Sequence, residues 1–206
     1  FDRQDKQRVH CLSACTVLRA QTPAGEEAEF GYPHLARALR RVGDPRTLAA
    51  QLHELFKRMV FNILLAITDD HEKNHALLCQ VKGRTMTLTL SPAYDIVPTG
   101  SGAREHQFMI SDTSREPLLS EAMRVAHEFD LTAPVAAQTV QSIIQAVNDW
   151  PAHFVALGVT QRDLRELAAL IDAPHLLAQR QAFRVSDYAN ASSARRKSAG
   201  GAKVFR

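Results

Sequence analysis

The chain has 206 residues, 45% hydrophobic and 23% charged, with nine Gly and nine Pro. That balance describes one ordinary globular domain, or two small ones, and excludes collagen-like, coiled-coil and wholly disordered classes. No window reaches the roughly 18 apolar residues of a membrane span. The best run, Met59 to Ile67, is broken by Asn62, so a soluble protein with no membrane partner is expected. Phe1 stands in place of an initiator Met, which suggests a fragment or processed piece, and no export signal opens the chain. Three Cys without metal spacing suit a reduced, cytoplasmic protein. The net charge of +3 is uneven, because residues 191–206 carry five basic residues and no acid, leaving a slightly acidic body. The expected organisation is a folded domain over 1–185 and a flexible, solvated basic tail over 186–206.

In chain order, Phe1 to Glu29 has no sustained period and reads as a strand remnant followed by irregular connection. Residues Pro33 to Arg41 predict a short helix ended by Gly43. Asp44 and Pro45 then serve as cap and first residue of a longer helix. Along it, Leu48, Leu52, Leu55, Met59, Ile63 and Ile67 recur at steps of three and four, widened by Val60 and Leu64 into a buried stripe. Two β-like runs, Ala76 to Val81 and Arg84 to Leu90, joined by Lys82-Gly83, predict a hairpin. A Pro- and Gly-rich loop covers Ser91 to Gly102. Helical spacing returns over Leu119 to Phe129, Ala133 to Asp149, Gln161 to Ile171 and Ala173 to Phe183, with Trp150 as a core anchor. The fold class is thus mainly α with a small β-hairpin.

The stretch Thr68-Asp69-Asp70-His71-Glu72-Lys73-Asn74-His75 lies between a buried helix and a buried strand and is dense in groups that ionise or bind metal. A hydrophilic, solvated loop is the plain reading. His71-Glu72-x-x-His75 also matches the H-E-x-x-H pattern of a zinc metallopeptidase, in which two His one helical turn apart bind zinc and the Glu acts as base. Asp95 is then the available third ligand. The pattern needs a helix, which Asn74 and the run before His71 do not favour. Alternatively, Asp69, Asn74 and Asp95 match the needs of a phosphotransferase. There, an Asp in a loop handles the proton of the attacking hydroxyl, an Asn five residues on binds a metal ion, and a second Asp beyond a hairpin holds phosphate-bridging Mg²⁺. An Asp-x4-Asn pair alone arises by chance in roughly one chain in five of this composition; its placement before a hairpin and loop adds the weight.

The strings NILLAITDDHEKNHALL and LSPAYDIVPT, with the opening FDR, resemble the catalytic loop, metal-binding loop and hinge of HipA-type serine/threonine kinases, the toxin halves of bacterial type II toxin–antitoxin pairs. The resemblance runs over roughly Phe1 to Phe183 and implies the C-terminal lobe of a protein-kinase-like fold. It implies ATP and Mg²⁺ as cofactors, with Asp69 as catalytic base, Asn74 and Asp95 as Mg²⁺ ligands, and His71, Glu72, Lys73 and Asn74 along the ATP phosphates. Tyr94 then sits beside the nucleotide and Phe1 at the adenine hinge. The family requires neither Glu72 nor His75, which suit structural or solvated roles, and tolerates a small residue at Asp70, which receives no chemistry. The implied partners are a protein substrate in translation and a HipB-like helix-turn-helix antitoxin, through which DNA is reached indirectly. No glycine-rich phosphate loop or paired strand Lys accompanies the motifs, and Gly100-Ser101-Gly102 lies on the wrong side of Asp95. A catalytically inactive, antitoxin-binding lobe is therefore the alternative within the family. Ser111, Thr113 and Ser114, after the metal-binding loop, are read as a plain polar loop before any phosphorylated or substrate-binding segment.

Overall fold

The computed structural model describes residues 2–4, 7–20, 22, 29–99 and 105–189. Three helices make the core: α2 (Tyr32–Val42), α3 (Leu48–Leu64) and α5 (Ala133–Asn148). The stripe that predicts α3 is the stripe that packs, since Leu52, Leu55, Phe56, Met59, Val60, Ile63 and Leu64 are all fully buried. Each such side chain contributes about 1.5–3 kcal/mol of hydrophobic stabilisation. The ends of α3 differ from expectation. Asp44 does not cap the helix; its carboxylate accepts the Arg46 N–H (3.0 Å) within a turn closed by Thr47 N–H to the Asp44 carbonyl (3.0 Å), and Thr47 takes the cap position. At the other end the helix stops at Leu64, three residues short of Ile67, because Ala66 turns into the left-handed region (φ 50°).

The expected hairpin is present as β4 (Ala76–Lys82) and β5 (Thr85–Leu90), turning at Gly83, whose φ of 62° suits a residue without Cβ. It belongs to a three-stranded antiparallel sheet, not a two-stranded one. A short strand, β3 (Cys11–Ser13), pairs with β4 in the order β3-β4-β5, with Leu12 opposite Leu77 and Leu77 opposite Leu90. Upstream, β1 (Arg3–Gln4) and β2 (Gln7–Arg8) form a separate small ribbon. After β3 comes a helix absent from the sequence expectation, α1 (Ala14–Arg19), capped by Ser13, whose hydroxyl accepts the Thr16 N–H. Two parallel bridges tie loops to the core, Gly43 to Leu88 and Gly31 to Met109.

The C-terminal region wraps the bundle. The run Leu119 to Phe129 divides into α4 (Leu119–Arg124) and a 3-10 turn (Ala126–Phe129). After α5, a further helix α6 (Trp150–Ala156) is followed by α7 (Gln161–Ile171) and α8 (Pro174–Ala182). Trp150 opens α6 and is buried, its indole N–H donating to Asp172 (3.1 Å), in line with a core anchor. A last 3-10 turn, Val185–Tyr188, stacks Tyr188 on Phe183, so ordered structure continues past residue 185; the basic residues from 191 on lie outside the described residues. Among the described residues no helix is long and apolar enough to cross a membrane, and all three Cys are free thiols.

Candidate active site

The polar loop begins where α3 is terminated. Leu65 and Ala66 close the helix, and Ile67 and Thr68 tuck back against it, with Ile67 N–H donating to the Asn62 carbonyl (3.0 Å). The loop is then braced on two sides by backbone bonds. Cys15 and Ala14, at the start of α1, donate to the carbonyls of Glu72 (3.1 Å) and His75 (2.8 Å). From the other side Gln107 and Phe108 donate to the carbonyls of Thr68 (3.1 Å) and Asp70 (2.7 Å). Backbone thus held at both flanks leaves side-chain direction as the main remaining freedom.

The two adjacent aspartates point to different worlds. Asp69 is exposed, whereas Asp70 is buried among polar partners. The Tyr32 hydroxyl donates to Asp70 Oδ2, Asn62 Nδ2 donates to the Tyr32 oxygen (2.9 Å), and His75 Nε2 lies 3.0 Å from Asp70 Oδ1. The His75 contact is electrostatic closeness without hydrogen-bond alignment. Its ring stacks on Phe108 (centroids 5.0 Å apart) and meets Tyr32 edge-on. Burial pushes the Asp70 carboxyl up, but the nearby His75 and the polar contacts of Tyr32 and Asn62 outweigh it and hold the group below the ordinary carboxylate range. The Tyr32 phenol is driven well up, first by burial and then by the Asp70 charge. Nearby His106 is buried with neither ring nitrogen hydrogen-bonded, and burial lowers it to about 4 although the Asp70 charge pulls the other way.

Asp69, Asn74 and Asp95, the three residues singled out in the sequence, line one cavity of about 250 Å³ together with Ile67, Val97, Pro98 and Thr99. Asn74 is buried, and its position is set by a turn in which its N–H donates to the His71 carbonyl (2.9 Å). Asp95 sits on the far wall in the left-handed region, with φ 57°, a strained backbone state that concentrates at functional sites. Asp69 Oδ1 accepts the Gln107 Nε2–H (2.6 Å). The Tyr94 hydroxyl donates to the Lys73 carbonyl (2.7 Å), linking the two loops, and its phenol is raised by burial and by the charges of Cys11 and Asp95. Oxygen donors of this kind, an amide and a carboxylate facing one space, suit Mg²⁺ better than a soft metal. His71 and Glu72 are half-buried and Lys73 exposed; none lines the cavity. Phe1 and Gly100 to Gly102 lie outside the described residues.

The zinc-peptidase expectation is overturned by local geometry. His71 to His75 form a turn, not a helix, so the two imidazoles do not share a face. His75 is committed to Asp70, between Tyr32 and Phe108. Among the described residues no group of three or more His, Cys, Asp or Glu is placed to hold a metal ion. Ser111 is likewise structural: it is fully buried, donates to Glu121 (3.0 Å) and accepts from Arg124 (2.8 Å).

Sequence reasoning missed Tyr32, Asn62, Gln107 and the role of Asp70. One signal was present. Gln51, Arg58 and Asn62 recur at helical spacing inside the apolar stripe of α3, and all three are buried. Gln51 accepts the Leu90 N–H (2.8 Å), Arg58 donates to the Ser91 carbonyl (2.7 Å) and Asn62 donates to Tyr32, so this polar edge fastens the sheet end and both loops to the helix.

Comparison with known proteins bears on the family and the fold. The family model described as the HipA-like C-terminal domain matches residues 1–151. Among solved structures, the chain resembles a complex of the Shewanella oneidensis MR-1 toxin–antitoxin proteins HipA and HipB with operator DNA. The likeness has a TM-score of 0.65 at 17% identity, covering 91% of this chain and 49% of that one. The chain therefore spans about half the length of that solved protein. Comparison with curated proteins finds no match. With a mainly helical fold, a three-stranded antiparallel sheet and a family match over most of its length, the chain belongs to the HipA-like C-terminal domain family.

Proposed function

We propose that this chain is the catalytic lobe of an ATP- and Mg²⁺-dependent serine/threonine protein kinase of the HipA toxin type. The observation that carries the reading is the convergence on one cavity of Asp69 and Asn74, which precede the hairpin, with Asp95, which follows it. Asp69 Oδ2, which takes no hydrogen bond from a described residue, orients the substrate hydroxyl and receives its proton. Asn74 and Asp95 supply the oxygen donors for Mg²⁺, which when bound spreads the charge of the transferring phosphoryl group. Lys73 offers a cation to the phosphates from the exposed side of the turn, with His71 and Glu72 beside it, while Tyr94 and Phe1 contribute to the nucleotide side. The solved HipA is found with HipB and operator DNA. A helix-turn-helix antitoxin of that kind, with DNA reached through it, is the partner we assign, and a cytoplasmic protein of translation the substrate.

The test uses the protein as its gene encodes it, with any sequence that precedes Phe1, and follows Mg²⁺-dependent transfer of the ATP γ-phosphate to protein. The wild type is expected to transfer, and Asp69→Asn to lower the rate about 10²–10⁴-fold with its melting unchanged, the range for loss of a positioned general base. A wild type that binds the antitoxin but transfers nothing would leave an inactive binding lobe as the function.

A further inference from the structure

We infer that Gln107 is the positioning residue for Asp69, the side chain that decides which carboxylate oxygen faces the cavity; this rests on the phosphotransfer reading above. An exposed aspartate on a turn is free to rotate about both side-chain torsions, so a base at that position needs something to hold it. Gln107 Nε2 donates to Asp69 Oδ1 at 2.6 Å, which leaves Oδ2 to the cavity shared with Asn74 and Asp95.

The donor itself comes from a fixed backbone. Gln107 N–H is bonded to Thr68, Phe108 N–H to Asp70 and Met109 N–H to the Phe30 carbonyl, and His106 N–H donates to Arg115 (2.9 Å). The Arg115 guanidinium in turn donates to the Gln107 carbonyl and pairs with Glu29 (3.0 Å). The amide arm is therefore measured from the same loop whose carboxylate it grips. Its neutrality also matters. A Lys or Arg in that place would hold the carboxylate more tightly and at the same time weaken it as a proton acceptor, whereas an amide orients without adding charge.

The experiment compares wild type, Gln107→Ala and Gln107→Glu in the full-length protein, reading kcat, KM for ATP, pH profile and thermal unfolding. Gln107→Ala is expected to lower kcat about tenfold or more with KM for ATP unchanged. Gln107→Glu keeps the shape but sets two carboxyls against each other. They share one proton, so its kcat profile gains an ionisation, absent from wild type, above which transfer is lost. A Gln107→Ala kcat within about twofold of wild type, a change in KM alone, a fall in melting that tracks the lost rate, or a Gln107→Glu profile parallel to wild type overturns the inference. A wild type that transfers no phosphate sinks the kinase reading and this inference together. Full activity in both variants sinks only the inference.

Discussion

The two sides of α3 are fastened by different forces. Its apolar body, from Leu52 to Ile63, packs without charge into the bundle, while its polar edge, Gln51, Arg58 and Asn62, reaches the sheet end, the loop that follows β5 and the Asp70 network. Apolar burial is non-directional and indifferent to pH. The polar side is directional: it sets angles, and a buried group there that loses its partner carries a full desolvation penalty. The bundle should therefore govern global stability, and the loop should answer to protons and to single-atom changes.

Three substitutions or conditions separate these sides. The largest effect is expected from Phe56→Ala, which empties a fully buried position beside Phe129 and should cost about 4 kcal/mol at any pH, read by denaturant unfolding. Next, Asp70→Asn leaves the geometry near Tyr32 but removes the charge that faces His75, at about 3 kcal/mol. Its signature is local: the amide of Phe108, which donates to Asp70, should exchange with solvent faster before the α3 amides do. Equal acceleration of exchange across both regions would show that they unfold as one unit.

The third is a pH dependence whose sign follows from His106. Its folded value of about 4 lies below the ordinary 6.5, so the unfolded chain binds the proton first. Stability is full above 6.5, falls by roughly 3 kcal/mol as pH drops to about 4, and levels off below. Asp70, held below its ordinary 3.8, works in a later window, its contribution present above 3.8 and lost as pH falls through its folded value. His106→Leu should remove most of the first fall and leave the second. His34 and His53, also lowered by burial, account for what slope remains.

What could be read from the chain follows the same division. The stripe of α3, the hairpin and α7 were legible because periodicity reports burial of one face, and Asp69, Asn74 and Asp95 because their chemistry is ordered along a short stretch. β3 was not, since three residues show no alternation until their partner strand is known, and neither were α1 and α6, each too short for a stripe. Asp70 and Asp69 are indistinguishable as letters. Only Tyr32, thirty-eight residues upstream, and Gln107, thirty-eight downstream, tell them apart, and no local pattern announces partners at that distance.

The backbone of Asp95 carries one more consequence. A residue other than glycine held at φ 57° gives up about 1 kcal/mol that glycine would return. A library of this protein selected only for heat resistance should thus drift toward glycine at 95 and discard the carboxylate on the cavity wall. Laboratory evolution scored on survival alone would make this protein hardier while erasing the carboxylate on which the proposed phosphotransfer depends, a trade that begins at a single torsion angle.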